Sequence, residues 1–200
     1  MLMVFVGPLL KLLGQKEVTR MVADFLMGLG IMFVGMYFMN NIFETSFLLR
    51  DFFTGLFENV HYPFFLLLLG VLLTCIIQSS MAALALLVGM MASDIITLDK
   101  AIFIMMGANV GMCLAVYLTS LNKNINARRA AIIYFLFNAI GAIFFTIVFW
   151  SFSNILLSPI QRLGPVWQLS IFNIAFNLAT ALLLIGFIHP LIRLSEWMID

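Results

Sequence analysis

The side chains in this chain that can do chemistry are almost all uncharged. No Asp, Glu, Lys or Arg occurs across residues 59–93, yet Thr74, Gln78, Ser79 and Ser80 stand near the middle of that run. Asn109 lies between two glycines in GANVG (residues 107–111), and Asn138 sits within FLFNAIGA. Asn173 and Asn177 each follow a Phe and are four residues apart, which puts them on one helical face. Hydroxyls and carboxamides donate and accept hydrogen bonds without titrating near neutral pH, so this set suits binding and not proton transfer. HExxH and GxSxG are absent, and Asp24 apart, no carboxylate or amine lies in the interior of a candidate span. No catalytic residue is assigned, and the chain does not read as an enzyme. Cys75 and Cys113 lie in apolar segments without a CxxC pair, so they read as buried small residues, not as a disulfide or metal site. His61 and His189 read as interfacial.

The composition says what must hold these residues. A chain of 200 residues that is 64 % apolar and 10 % charged has too little polar surface for a soluble globule. The prediction is an all-α polytopic membrane protein, one transmembrane domain over 1–200. A net charge of +1 and the lack of a basic-aromatic patch exclude a nucleic-acid partner; membrane lipid surrounds the chain. The first fourteen residues are apolar but interrupted by Pro8 and Lys11 and are too short to span. No cleavable signal is evident, and the segment reads either as the tail of a helix or as an interfacial piece. The predicted order is a span at 21–43, an amphipathic interfacial helix at 44–60, a polar-centred segment at 62–92, then spans at 98–121, 130–152 and 166–190. In the first span Asp24 falls in the first turn at the interface, and Gly28, Gly30 and Gly35 allow close helix approach. Phe47, Leu48, Phe52 and Leu56 recur at helical spacing in the interfacial helix.

The 62–92 segment is too long for one crossing. A continuous helix of that length runs roughly 50 Å, against a bilayer core of about 30 Å. Either it is one long tilted helix whose hydroxyls bond back to their own carbonyls, or two half-helices meet at residues 78–80 and line a site inside protein. Broken helices of that kind hold substrate and ion sites near the membrane midplane in secondary transporters. Charge favours the second reading. If 62–92 is a re-entrant hairpin, Lys16, Arg20, Lys123, Arg128, Arg129 and Arg193 fall inside, and Arg50, Lys100 and Arg162 fall outside, as the positive-inside rule requires. Arg128 and Arg129 are then topology determinants. The glycines around Asn109 read either as a second helix break, making 98–121 a broken span, or as a kinked packing helix. Asn138, Asn173 and Asn177 read as interhelical glue or as site residues.

Four motifs in register resemble the sodium/phosphate cotransporter family, in its type II repeat. They are Thr74-Cys-Ile-Ile-Gln78-Ser79-Ser80-Met81-Ala82, Gly107-Ala-Asn109-Val-Gly111-Met112-Cys113, Ala127-Arg128-Arg129-Ala-Ala131 and Phe137-Asn138-Ala-Ile-Gly141. The match runs over roughly residues 25–195 and looks like a single repeat, the second of two. The resemblance implies two inverted repeats, each with a re-entrant hairpin bearing a Gln-Ser-Ser signature, that together bind phosphate and sodium. It implies Gln78, Ser79, Ser80 and Asn109 as the main contacts, with Thr74, Asn138, Asn173 and Asn177 behind them. Sodium, the coupling ion, is expected at Ser79, Ser80 and Asn109, with no other cofactor.

The chain departs from that pattern in two ways. Met81 stands where the family has a third Ser, and Met112-Cys113 where it has Thr-Thr, so three hydroxyls are missing. Only one Gln-Ser-Ser occurs, which implies a half-transporter completed by a homologous repeat, a homodimer of inverted protomers, or a fragment. The expected function is a sodium-coupled transporter, or half-transporter, of phosphate or a related oxyanion in the cell membrane. The alternative is a degenerate repeat serving as a structural or regulatory membrane subunit.

Overall fold

The computed structural model describes residues 2–13, 17–160 and 162–199, so Lys16 and part of the link at 14–20 lie outside the described residues. Two compact units emerge, Met1–Leu49 and Arg50–Asp200. Among the described residues every regular element is helical.

In the first unit, α1 (Leu2–Leu13) packs on α2 (Glu17–Thr45). Gly7 makes the close approach: a Cβ there would meet the Cβ of Met27 and the carbonyl of Ala23. Asp24 Oδ1 accepts from Lys11 Nζ of α1 at 2.6 Å, an ion pair in which both side chains are about half exposed. Gly28 and Gly35, expected to admit a neighbouring helix, have nothing within 4 Å of a built Cβ.

The second unit begins essentially with α3 (Phe47–Asn59), whose Phe47, Leu48 and Phe52 are exposed while Phe53 and Phe57 stack inward. Helix α2 claims residues 44–45, so the interfacial helix starts later than predicted. Next come α4 (Pro63–Ile77) and α5 (Ser80–Ala92), then α6 (Leu98–Ser120), which is the centre of the unit. Residues 101–108 of α6 are all buried. The directions of α4 and α5 follow from their neighbours. Leu67 lies against Gly107, and Val71 and Cys75 against Gly111, so α4 runs parallel to α6. Ser80 and Leu84 share a cavity with Asn109 and Met105, and α5 ends at a short turn that leads straight into the start of α6. Helix α5 therefore runs back against α6, and α4 and α5 form a helical hairpin. At 1.5 Å per residue, α4 and α5 are about 22 and 20 Å long against about 34 Å for α6, so the hairpin tip stops partway along it.

The break expected at residues 107–111 is not there. Helix α6 is continuous, and its glycines do something else. A Cβ on Gly107 would strike the carbonyl of Leu67, one on Gly111 that of Val71, and one on Gly70 that of Ile104. The two backbones touch, and only glycine leaves room for that.

Helix α7 (Ile125–Leu157) is longer than the predicted 130–152 span and kinks at Phe152. Asn124 caps it, accepting from the Ala127 N–H at 2.9 Å, so Arg128 and Arg129 lie within its first two turns. Helix α8 (Pro165–Leu184) returns antiparallel and ends before the predicted 190; a 3-10 turn at Ile185–Phe187 leads into α9 (Ile188–Ile199), with Pro190 tolerated in its first turn. Edge-to-face rings join these helices: Phe103 to Phe149 at 5.3 Å, Phe149 to Phe172 at 5.2 Å, and Phe145 to Phe176 at 5.5 Å. Among the described residues, four segments are long and apolar enough to cross a membrane: Glu17–Gly35, Leu98–Ser120, Ile125–Ser153 and Pro165–Ile199.

The backbone contact makes a test. Gly70→Ala and Gly107→Ala should each destabilise the purified protein by about 1–3 kcal/mol, the range for overpacking a filled interface. Gly55→Ala, whose Cβ would meet nothing within 4 Å, should leave the melting temperature unchanged or raised. Equal melting of all three would show that the α4–α6 contact is not tight.

Candidate functional site at the hairpin tip

The break between α4 and α5 takes two residues. The Gln78 N–H closes α4 by donating to the Thr74 carbonyl at 2.7 Å, with Gln78 itself left-handed at φ 56°, ψ 26°. Ser79 is extended and caps α5: its Oγ accepts from the Ala82 N–H at 3.2 Å. The Ala83 N–H bonds the Ser79 carbonyl, while the N–H groups of Ser80 and Met81 have no backbone acceptor among the described residues. Those two donors stand at the positive end of the α5 dipole.

Ser80 and Met81 line a cavity of about 230 Å³ with Asn109 of α6 and Asn173 and Asn177 of α8. That is space for several waters at about 30 Å³ each. The three carboxamides are wired together. Asn109 Nδ2 donates to the Met105 carbonyl and to Asn173 Oδ1, both at 3.2 Å. Asn177 Nδ2 donates to the Asn173 carbonyl at 2.8 Å and to Asn173 Oδ1 at 3.1 Å. Both NH2 groups are thereby saturated, since each has two hydrogens. The polar atoms left without a hydrogen bond to a described residue are the Oδ1 atoms of Asn109 and Asn177, the Asn173 NH2 and the Ser80 hydroxyl. The cavity thus offers neutral oxygens to a cation and N–H donors to an oxyanion, and no carboxylate or amine lines it.

The Phe-Asn repeat explains why α8 contributes. Adjacent residues on a helix point about 100° apart. Phe172 and Phe176 pack on α7, and each following Asn turns toward the hairpin and α6.

Ser80, Asn109, Asn173 and Asn177 are therefore brought together. The other candidates are not in this cavity. Gln78 lines a second cavity of about 240 Å³ with Cys75, Met112 and Thr119. Thr74 is fully buried with its Oγ1 unpartnered, and Asn138 is buried on α7, its Nδ2 on the Tyr134 carbonyl at 3.0 Å. Ser79 is engaged as a cap. Sequence reasoning missed Leu84, Met105 and Ala108, which are apolar and carry no signal beyond lying one turn from Ser80 or Asn109 or, for Ala108, next to Asn109. Cys113 is buried with its Sγ against the Asn109 carbonyl at 3.1 Å, and Cys75 is half-buried; both are free thiols. A larger cavity of about 550 Å³ lies at the other end of α6, beside Glu58, Asp94 and Lys100, and does not reach the tip. Lys100 there is engaged by the Phe57 carbonyl.

A family model described as Na+/Pi-cotransporter matches residues 48–160, which run from α3 through α7 and include the hairpin and Asn109. The chain belongs to the Na+/Pi-cotransporter family. It is a multi-pass membrane protein of that family, and Asn173 and Asn177 lie beyond the matched residues. Among curated relatives, "Uncharacterized protein YqeW" of Bacillus subtilis (strain 168) is 27 % identical over 135 residues, 66 % of this chain and 43 % of the relative. "Putative inorganic phosphate export protein YjbB" of Escherichia coli (strain K12) is 30 % identical over 134 residues, 66 % of this chain and 24 % of the relative. The chain thus matches less than half the length of either. No solved structure matches it.

The tip geometry separates backbone from side-chain roles. Gln78→Gly should keep or raise the melting temperature, because it relieves about 1 kcal/mol of left-handed strain. Ser79→Ala should cost about 1 kcal/mol through the lost cap and speed amide exchange at residues 80–83. Unchanged exchange in Ser79→Ala would remove the cap from the account.

Proposed function

We propose that this chain is a phosphate transporter, or the half of one, that couples phosphate movement to sodium at the hairpin tip. The observation that carries the reading is the cavity that pairs the unbonded N–H donors of Ser80 and Met81 with the neutral oxygens of Asn109 and Asn177. Helix N-terminal N–H groups favour an oxyanion without a buried cation, and a hard alkali ion prefers oxygen ligands. In this reading Ser80, Asn109 and Asn177 hold sodium, with Ser79 acting through its cap. The Ser80 and Met81 amides and the Asn173 NH2 hold phosphate. Thr74 and Gln78 form the break, and Asn138 stabilises α7.

The hairpin is read as re-entrant. Lys123, Arg128 and Arg129 gather at the α6–α7 end, and Lys100 and Arg162 at the other, so the positive-inside rule puts the hairpin's entry on the outer face of the cell membrane. One signature supplies half of a two-repeat site, so a second homologous repeat, or an inverted second copy, completes it. The family description and the phosphate-export wording attached to YjbB support phosphate as cargo.

Proteoliposomes test the reading. Purified protein should move phosphate in response to a sodium gradient, and Ser80→Ala or Asn109→Leu should reduce the rate about tenfold or more. Phosphate movement indifferent to sodium would remove the coupling. No movement, with no thermal stabilisation by sodium plus phosphate, would replace transport by the structural-subunit reading.

A further inference from the structure

We propose that Asn173 is a positioning residue: it turns the carbonyl oxygens of Asn109 and Asn177 into the hairpin-tip cavity, where with the Ser80 hydroxyl they form the alkali-cation site. The inference rests on the reading of that cavity as an ion site. The argument is a count of hydrogens. A primary carboxamide has two donors and one acceptor oxygen. Asn109 spends both donors, on the Met105 carbonyl and Asn173 Oδ1, and Asn177 spends both on the carbonyl and Oδ1 of Asn173. Turning either amide over would bring its Oδ1 against acceptor oxygens with no proton between them. One atom, Asn173 Oδ1, therefore completes the hold on both side chains, adding to the bond each makes with a backbone carbonyl. It also ties α6 to α8, two helices whose joined residues are 64 apart in sequence. Without it, each carboxamide is held by one backbone carbonyl alone and turns more readily to present NH2 to the cavity, which repels a cation.

A residue that acted only as packing would behave differently. Asn173→Asp keeps an oxygen acceptor in nearly the same place, whereas Asn173→Leu keeps the volume and removes the acceptor. The experiment is thermal melting of the purified protein, with sodium titrated against choline at constant ionic strength, followed by phosphate uptake in proteoliposomes. The wild type should melt higher in sodium. Asn173→Asp should keep the wild-type sodium half-saturation or lower it, while its half-saturation for phosphate rises, because the Asn173 donor becomes an anion. Asn173→Leu, which removes the two hydrogen bonds to Asn173 Oδ1, should raise the sodium half-saturation about tenfold or more. If that variant fails to fold, Asn173→Ser, too short to span the 3.2 Å contact, takes its place. Wild-type sodium half-saturation in the Leu or Ser variant overturns the proposal. So does equal loss in Asp and Leu, or a wild type that no alkali cation stabilises. Intact sodium pattern with no phosphate uptake supports the positioning role and counts against phosphate as cargo alone.

Discussion

The contact on which this structure depends is backbone against backbone, between α4 and α6. Gly70, Gly107 and Gly111 each face a carbonyl of the other helix so closely that a methyl group has no room. Small residues at such crossings are how helices associate where lipid removes the hydrophobic drive. The consequence reaches the hairpin tip. Because α4 is held in register along α6, its last turn carries Gln78 past Asn109 to Met112 and Thr119, and the chain turns back there to start α5 with Ser80 beside Asn109. A looser α4 would carry the tip, and with it the start of α5, away from the carboxamides.

The second constraint is what a break in a helix leaves behind. Ending α4 and restarting α5 leaves N–H and C=O groups without helical partners, and such groups cost several kcal/mol each wherever lipid surrounds them. The chain meets this locally, with the Gln78 N–H on the Thr74 carbonyl and the Ser79 side chain capping Ala82. The N–H groups of Ser80 and Met81 are not met by backbone acceptors, and they face a cavity. Unpaired donors are costly where they do nothing and useful where a ligand arrives. Building the surrounding site from amides and a hydroxyl avoids the larger cost of burying an unpaired charge.

Phe149 shows how apolar packing serves this polar site. It is buried between Phe103 of α6 and Phe172 of α8, with ring centroids just over 5 Å away on each side. That ladder sets the rotation of α8, and the rotation is what turns Asn173 and Asn177 toward Asn109. The aromatic and amide faces of α8 are one device.

Much of this was legible in residue order. An uncharged run too long for one upright crossing, with polar groups at its centre, favoured a broken helix at residues 78–80 over one long tilted helix, because lipid satisfies neither its hydroxyls nor its carboxamide. Composition determined a polytopic helical membrane protein, since so few charges cannot coat a soluble surface. Four motifs in register pointed to the family. Tertiary structure alone decided the glycines at residues 107–111: a helix break and a close helix crossing call for the same residue, and only the neighbouring carbonyls tell them apart. It alone decided that Ser80, Asn109, Asn173 and Asn177 meet while Gln78 faces another cavity. Residues two apart at a helix break point wherever the backbone turns them, and spacing along a chain does not carry that angle.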